Sequence, residues 1–271
     1  MSDADAYIVF GEFAPAAQSK FETPHHYLLY ALSGALTLEA DGKRWSLPPA
    51  RAALIAANHP ILVSLPQKVL ACSALFAPSF APDPPTTLTV FDMSSLAREL
   101  LLSLRGVAQE TPLNIYSTSL FQALVAEVWR LALQPSPVAM PLPKSDMLKR
   151  ALVLTEQRLE QDLRFENLAR EVATTPRSLA RHFMAELGMT WSQMRQRLRL
   201  PKAIELMAND QVSLTEIAIS VGFASQSAFN DAFRKFVGKT PAAYRTSFSA
   251  DNQLNSISSP IRHPVEGRGS A

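Results

Sequence analysis

Cysteine, charge and long hydrophobic runs are all scarce in this chain of 271 residues. The single cysteine, Cys72, excludes an intrachain disulfide and a zinc site built from several cysteines. No apolar stretch reaches the roughly 18 residues that span a bilayer. The acidic amino terminus lacks the basic and apolar pattern of a signal peptide. These absences predict a cytoplasmic protein that does not enter a membrane.

Charge is limited in amount and unevenly distributed along the chain. Charged residues make up 18% of the sequence, and the net charge is only +2. This value excludes a protein that coats nucleic acid through a broadly basic surface. Residues 1–145 carry nine basic and eleven acidic residues, whereas residues 146–248 carry fifteen and eleven. The second half can therefore form a small basic surface.

Residues 1–85 have the pattern of a small all-β domain. Short apolar segments alternate with turn signals such as Ser33-Gly34 and Asp41-Gly42. Several strands at short spacing predict a barrel or sandwich. The predicted strands are 7–10, 27–32, 35–39, 44–47, 52–56, 61–64 and 70–76.

The periodicity becomes helical after the predicted barrel. Residues 86–133 predict two amphipathic helices, which either pack on the barrel or pair with a second subunit. Residues 134–145 contain four prolines and predict a stiff, extended linker. Residues 146–248 predict an all-helical domain, and the polar segment 249–271 predicts a disordered tail. The predicted fold class is therefore α+β, with a β-barrel and two helices followed by an all-α domain.

The helical domain contains an internal repeat. Leu168-Ala169-x-x-Val172-Ala173 matches Ile217-Ala218-x-x-Val221-Gly222 at an offset of 49 residues. Leu179-x-x-x-Phe183-x-x-x-x-Gly188-x-Thr190 matches residues 229–240 at an offset of 50. Each copy predicts a helix, a tight turn and a second helix, with Gly188 and Gly238 ending the second helices.

The second helix of each copy has a polar face whose residue types suit DNA. Arginine pairs with guanine edges and phosphates, glutamine and asparagine pair with adenine edges, and a helix N-terminus favours phosphate. A solvated helix face is the alternative interpretation. The predicted DNA contacts are Thr175, Arg177 and Arg181 in the first copy and Ser225, Gln226, Ser227 and Asn230 in the second.

A longer motif spans the second copy. It reads Ser213-x-x-Glu216-Ile217-Ala218-x-x-Val221-Gly222-Phe223-x-Ser225-Gln226-Ser227-x-Phe229-x-x-x-Phe233, followed by Gly238-x-Thr240-Pro241-x-x-Tyr244-Arg245. This motif resembles the AraC/XylS family of transcription regulators, and the resemblance extends over residues 147–246. It implies about seven helices, with two helix-turn-helix units joined by a helix from Thr190 to about Ala208. It also implies double-stranded operator DNA and RNA polymerase as partners, in activation or in repression.

Three residues depart from the family pattern. Pro201 lies inside the predicted linking helix, where proline removes a backbone donor, and we expect it to reset the angle between the two units. Trp191 replaces a common proline and is interpreted mainly as a core residue. Asp231 replaces a common basic residue, and it either accepts from a cytosine edge or pairs with Arg234.

The N-terminal half resembles the cupin-type sensing domain of such regulators. The resemblance is carried by His25-His26, Leu29-Tyr30, Gly34, Asp41-Gly42 and Leu47-Pro48-Pro49-x-Arg51-Ala52 leading to His59. We expect one of His25 and His26, together with Tyr30 and His59, to lie in the barrel interior, which either holds a small-molecule effector or is simply packed. Adjacent histidines point to opposite faces of a strand, and the acidic residue that catalytic cupins place after the histidine pair is absent. We therefore expect no catalytic residue, metal or cofactor.

Three classes of function remain to be compared. The leading hypothesis is a homodimeric one-component regulator, in which the barrel senses an effector and the helical domain reads DNA. An enzyme with a catalytic barrel is the second class, and the missing carboxylate counts against it. A nonspecific nucleoid-like binder is the third, and it would need more positive charge than the helical domain carries.

Overall fold

The computed structural model describes residues 5–48, 51–66, 68–136, 139–161, 163–207, 211–237 and 240–252. A sheet-rich N-terminal domain precedes a helical C-terminal domain, which confirms the predicted fold class. The strands are β1 (Ala6–Phe13), β2 (Ala16–Phe21), β3 (His26–Ser33), β4 (Leu36–Ala40), β5 (Lys43–Leu47), β6 (Arg51–Ile55), β7 (Ile61–Leu65), β8 (Val69–Phe76), β9 (Leu88–Asp92) and β10 (Met140–Pro141). The helices are α1 (Ser95–Leu104), α2 (Ile115–Ala132), α3 (Asp146–Gln157), α4 (Phe165–Glu171), α5 (Pro176–Leu187), α6 (Trp191–Met207), α7 (Leu214–Ser220), α8 (Gln226–Val237) and α9 (Pro241–Asn252).

The N-terminal domain consists of two antiparallel sheets. Their strand orders are β1-β8-β3-β6-β9 and β10-β5-β4-β7-β2. Alternation along β4 and β5 points Leu36, Leu38, Trp45 and Leu47 into a shared buried core. The residues that alternate with them along each strand, including Arg44 and Ser46, consequently lie on the outer face of the second sheet.

Helices α1 and α2 pack on the first sheet within the same chain. Leu101, Phe121, Leu124 and Val128 are buried there in one cluster with β3 and β8. This is one of the two arrangements that the sequence left open for residues 86–133. Apolar side chains remain exposed at the start of α2, where Ile115 is 89% exposed.

Three strands lie where the sequence predicted none. All six residues of β2 are exposed, so this strand has no apolar alternation to reveal it. Strand β9 occupies the segment predicted to contain only helices and pairs with β6. Strand β10 lies within the proline-rich linker and pairs with β5, so the linker is partly built into the second sheet. Proline is compatible with this position because β10 forms the edge of that sheet.

The C-terminal domain contains seven helices, α3 to α9, among its described residues, in agreement with the family resemblance. The pairs α4–α5 and α7–α8 are the two helix-turn-helix units, and each packs into its own core. Helix α9 continues to Asn252, beyond the predicted end of the domain at residue 248. Gly238 and residues 253–271 lie outside the described residues. In the described ranges, no helix combines the length and apolar character that a membrane span requires.

Candidate nucleic-acid interface

The first helix-turn-helix unit is built around a small buried contact. Leu168 and Ala169 of α4 are fully buried, and the small alanine permits close packing against α5. The turn passes through Ala173, whose φ of +54° is in the left-handed region that glycine favours. Helix α5 then begins at the N-cap Thr175, whose hydroxyl accepts a hydrogen bond from the Ser178 N–H at 3.2 Å.

Helix α5 buries one face and exposes the other. Leu179, Phe183 and Leu187 are buried, whereas Arg177 and Arg181 are exposed one helical turn apart. Neither arginine forms an ion pair with any residue that the structure describes. The two guanidinium groups are therefore available to a partner outside the chain.

The second unit has the same architecture with a complete capping box. The Ser213 hydroxyl accepts from the Glu216 N–H at 3.1 Å, and the Glu216 carboxylate accepts from the Ser213 N–H at 2.8 Å. This backbone hydrogen bond lowers the pKa of Glu216 from its ordinary value. The turn contains Gly222 with a φ of +83°, at the position of Ala173 in the first unit.

The start of helix α8 carries the polar residues predicted for this unit. Ser225, Gln226 and Ser227 are exposed, and Asn230 is half-buried. The Ser225 hydroxyl accepts from the Ala228 N–H at 3.2 Å, and Gln226 accepts at its side-chain oxygen from the Thr215 hydroxyl at 3.1 Å. Gln226 is thereby oriented with its amide nitrogen still available as a donor.

Asp231 lies on the same exposed helix beside a cation. Its carboxylate is 3.7 Å from the Arg234 guanidinium, and both side chains are largely exposed. This is the pairing that the sequence left as one of two roles for Asp231. An exposed pair of this kind contributes little stability, so Asp231 can still exchange partners.

Helix α6 joins the two units as a continuous 17-residue helix. Pro201 lies inside it, as predicted from the sequence, and its side chain is buried. Trp191, at the start of α6, packs against Phe165 with ring centroids 5.3 Å apart. Its indole N–H also donates to the Thr155 hydroxyl at 3.0 Å, which supports its interpretation as a core residue.

Two arginines of α6 hold the units together, a role that sequence reasoning missed. The Arg195 guanidinium donates to the Leu159 carbonyl at 3.3 Å, and the Arg199 guanidinium lies 5.6 Å from the Phe223 ring centroid. Gly222 approaches so closely that an added Cβ would overlap the Leu159 carbonyl. These contacts join the loop after α3 to the turn of the second unit. Spacing within either repeat cannot reveal them, because they link different parts of the domain.

The beginning of the helical domain is fixed by Glu186 of α5. Its carboxylate accepts from the backbone N–H groups of Lys144 and Ser145 at 2.7 and 2.8 Å. Burial alone would raise the pKa of Glu186, but these hydrogen bonds and one with His182 lower it to about 2. The end of the linker is therefore attached directly to α5 of the first helix-turn-helix unit.

The four predicted effector residues do not converge on one point. His26 and Tyr30 lie on the helix-facing side of the first sheet, where His26 contacts the Trp129 ring of α2. His25 instead packs against the Tyr7 ring, with centroids 5.5 Å apart. His59, in the loop before β7, lies 3.4 Å from Asp41 in the turn between β4 and β5. The expected placement of Tyr30 inside the barrel is wrong, because alternation along β3 turns it toward α1 and α2.

The histidines also differ in their hydrogen bonding. His26 accepts at Nδ1 from the Ala57 N–H at 3.1 Å, and burial lowers its pKa despite the nearby Asp83. Both ring nitrogens of His25 are buried and have no hydrogen-bond partner among the described residues. In those same residues, no group of three or more histidine, cysteine, aspartate or glutamate side chains could hold a metal ion.

Comparisons with known proteins agree with this geometry. A family model described as a helix-turn-helix domain matches residues 168–247, which include both units apart from the first three residues of α4. The regulator NimR of Escherichia coli is 29% identical over 80% of this chain and 78% of its own length. The C-terminal region of this chain carries an AraC-type helix-turn-helix domain, of the kind found in DNA-binding transcriptional regulators.

Other relatives match a smaller part of the chain. The ornithine utilization regulator of Pseudomonas aeruginosa is 42% identical over 30% of this chain and only 23% of its own length. Both relatives are named as regulators rather than enzymes. A solved structure of ToxT from Vibrio cholerae aligns over 89% of this chain and 98% of ToxT, with 14% identity and a TM-score of 0.38. This degree of likeness does not bear on what the chain binds.

Proposed function

We propose that the chain is a sequence-specific regulator whose helices α5 and α8 read successive major grooves of one operator. The observation that carries the proposal is the matching exposure of Arg177 and Arg181 on α5 and of Gln226 on α8. Guanidinium and amide groups are the side chains that form paired hydrogen bonds with guanine and adenine edges. Each helix also buries its opposite face in a helix-turn-helix core, which supports a fixed presentation.

The dimensions of α6 support simultaneous reading by both units. Its 17 residues extend over about 25 Å. Successive major grooves on one face of a duplex are about 34 Å apart, and the reading helices project beyond the ends of α6. Arg195 and Arg199 hold the two units in a fixed relationship. The chain therefore has little freedom to lose when both units engage.

The predicted contact residues divide into two roles. Thr175 and Ser225 cap the starts of α5 and α8, so they orient free backbone N–H groups toward phosphates. Arg177, Arg181, Gln226, Ser227 and Asn230 are assigned to base edges. Asn230, being half-buried, reaches a base only if the helix enters the groove deeply.

Effector control through the N-terminal domain completes the proposal. Among the four candidate residues, His25 has the strongest support, since its two buried ring nitrogens have no partner among the described residues. His26, Tyr30 and His59 lie elsewhere in the N-terminal domain and are not part of this proposed site. An effector changes DNA binding only if it binds two arrangements of the protein unequally.

A homodimer and a contact with RNA polymerase are the proposed assemblies. The exposed apolar residues at the start of α2, Ile115 and Tyr116, support pairing between two copies of the chain. An AraC-type domain bound beside a promoter is placed to contact the polymerase, in either activation or repression.

Selection of bound fragments from genomic DNA, followed by footprinting, tests this function. We expect a defined site of about 17–20 base pairs per monomer, because each of the two helix-turn-helix units contacts one of two successive major grooves. An Arg105→Ala variant, which removes an exposed charge from the N-terminal domain, serves as the control and retains the footprint. Protection spread evenly over random duplexes would instead indicate a nonspecific binder.

A further inference from the structure

A cavity of about 490 Å³ lies between the two domains. One wall is the outer face of β4, β5 and β10, and the other is formed by α3 and α6. The cavity is separate from the core between the sheets, because its β5 residues Arg44 and Ser46 alternate with the buried Trp45 and Leu47. Its volume is within the range of small-molecule sites in proteins.

Charged side chains at one end of the cavity connect the domains. The Arg44 guanidinium donates to Glu39 at 2.6 Å and to Glu156 of α3 at 3.2 Å. The Ser46 hydroxyl donates to the Glu205 carboxylate of α6 at 3.1 Å. Each domain thus contributes polar groups to the same space.

The carboxylates in the charged group around Arg44 outnumber the cations. Among the described residues this group contains Glu156 and Glu205 with Arg44 and Lys202, which line the cavity, and Glu39, which does not line it but pairs with Arg44 at 2.6 Å. Lys202 pairs with Glu205 at 3.1 Å. Arg44 is therefore shared between two carboxylates. The group carries an excess of one negative charge, which an added monovalent cation would balance.

Glu156 is the carboxylate whose negative charge is least balanced by neighbouring cations. Its burial raises its pKa, Arg44 and Lys202 oppose that change, and Glu205 and Glu39 add to it. The charged form of Glu156 is consequently under-stabilised in the free protein. A positive charge placed beside it would have more effect than one placed beside an exposed carboxylate.

The rest of the cavity is apolar. Leu152 and Leu159 line it from the first helix-turn-helix region, and Leu198 and Pro201 line it from α6. These walls suit a hydrocarbon body rather than a hydrated metal ion. The combination of acidic end and apolar wall defines the chemistry of the occupant.

We propose that this cavity binds a small organic monocation, an amine or guanidine with an apolar body, whose charged group lies between Glu156 and Glu205. Such a ligand contacts β5 in one domain and α3 and α6 in the other. It therefore stabilises one relative placement of the domains. Binding itself is independent of DNA, whereas the regulatory consequence rests on the proposed function.

Three probes of similar shape and different charge test the binding. They are 4-phenylbutylamine, 4-phenylbutan-1-ol and 4-phenylbutanoate, each titrated into the full chain by calorimetry. We expect the amine to bind at least about tenfold more tightly than the alcohol or the acid, which corresponds to about 1.4 kcal/mol. Absence of amine binding at millimolar concentration, equal binding of all three probes, or tighter binding of the acid would overturn the proposal.

Variants separate this cavity from other negative surfaces. Glu156→Gln and Glu205→Gln should each remove most of the preference for the amine. Glu110→Gln makes the same charge change at an exposed position between α1 and α2, and should leave it intact. Unchanged preference in both cavity variants would overturn the assignment. The same preparations are assayed on selected DNA without amine, so loss of DNA binding and loss of amine binding are scored separately.

Discussion

The Arg51 guanidinium of β6 lies 5.7 Å from the ring centroid of Phe236 in α8. Arg51 is almost completely buried, and its Nε is 3.3 Å from Asp92 of β9. A residue of the Pro-Pro-x-Arg motif thus contacts α8 of the second helix-turn-helix unit directly. This contact gives the N-terminal domain a physical connection to a DNA-binding element.

Replacing this cation is expected to loosen α8. In Arg51→Gln the cation–π contact is lost, which removes about 0.5–2 kcal/mol of interdomain stabilisation. Hydrogen–deuterium exchange should become faster in α8 and α9 and remain unchanged in α5. The control Arg105→Gln should change none of the three helices. Equal acceleration in α5 and α8 would show a general loss of stability instead.

Base reading by α5 and α8 makes a second prediction. Arg177→Ala and Gln226→Ala should each weaken binding to the selected operator by about 1–3 kcal/mol. Binding to random duplexes should weaken much less, because base contacts carry the sequence information. Fluorescence anisotropy on both duplexes measures the difference. Equal losses on the two duplexes would assign these side chains to phosphates.

The turn of the second unit should tolerate no side chain. Gly222→Ala combines a φ of +83° with an overlap between the new Cβ and the Leu159 carbonyl. Gly188→Ala is the matched control, because its φ is +66° but the space around it is open. We expect the control to lose about 1–2 kcal/mol of unfolding free energy and Gly222→Ala to lose more. Urea unfolding followed by circular dichroism compares them, and equal losses would contradict the close approach.

The corresponding turn of the first unit should improve with glycine. Ala173 has a φ of +54°, so Ala173→Gly relieves strain at the cost of a more flexible unfolded chain. The expected net gain is about 0.5–1 kcal/mol in unfolding free energy. Ala180→Gly, in the exposed middle of α5, should instead lose a similar amount. A loss in both variants would mean that the turn is not strained.

Acid should weaken the attachment of the linker to α5. The folded-state pKa of Glu186 is about 2, below its ordinary value of 4.5. Its stabilising effect is therefore complete above about pH 4.5 and is lost as the pH falls toward 2. Urea unfolding at several pH values should show a shallower acid dependence for Glu186→Gln than for the unaltered chain. Glu160→Gln, an exposed control, should keep the original dependence.

Local sequence patterns allowed helices α5 and α8 to be predicted, because the capping residues and apolar positions that indicate them lie within short segments. The capping residues Thr175 and Ser213 and the repeated apolar positions place both units correctly. Exposure of Arg177 and Arg181 follows from the burial of Leu179 and Phe183 on the opposite face.

Features that depend on contacts between distant segments could not be predicted from the sequence. Strand β10 forms only because β5 offers an edge, and its prolines suggest no strand by themselves. The contact of Arg51 with Phe236 and the cavity beside Glu156 depend on how the two domains meet. Tyr30 was misplaced because alternation along a strand fixes opposite faces without indicating which face covers the core.

The pairing of β10 has a consequence for how the two domains can move. Leu142 donates its N–H to the Gly42 carbonyl at 2.8 Å. The backbone N–H groups of Lys144 and Ser145, which follow Pro143, donate to the Glu186 carboxylate. Pro143 alone separates these two attachments. So short a tether keeps each domain at a very high effective concentration beside the other. Individually weak contacts, such as that of Arg51, can therefore persist, because the two domains cannot separate unless one of these attachments breaks.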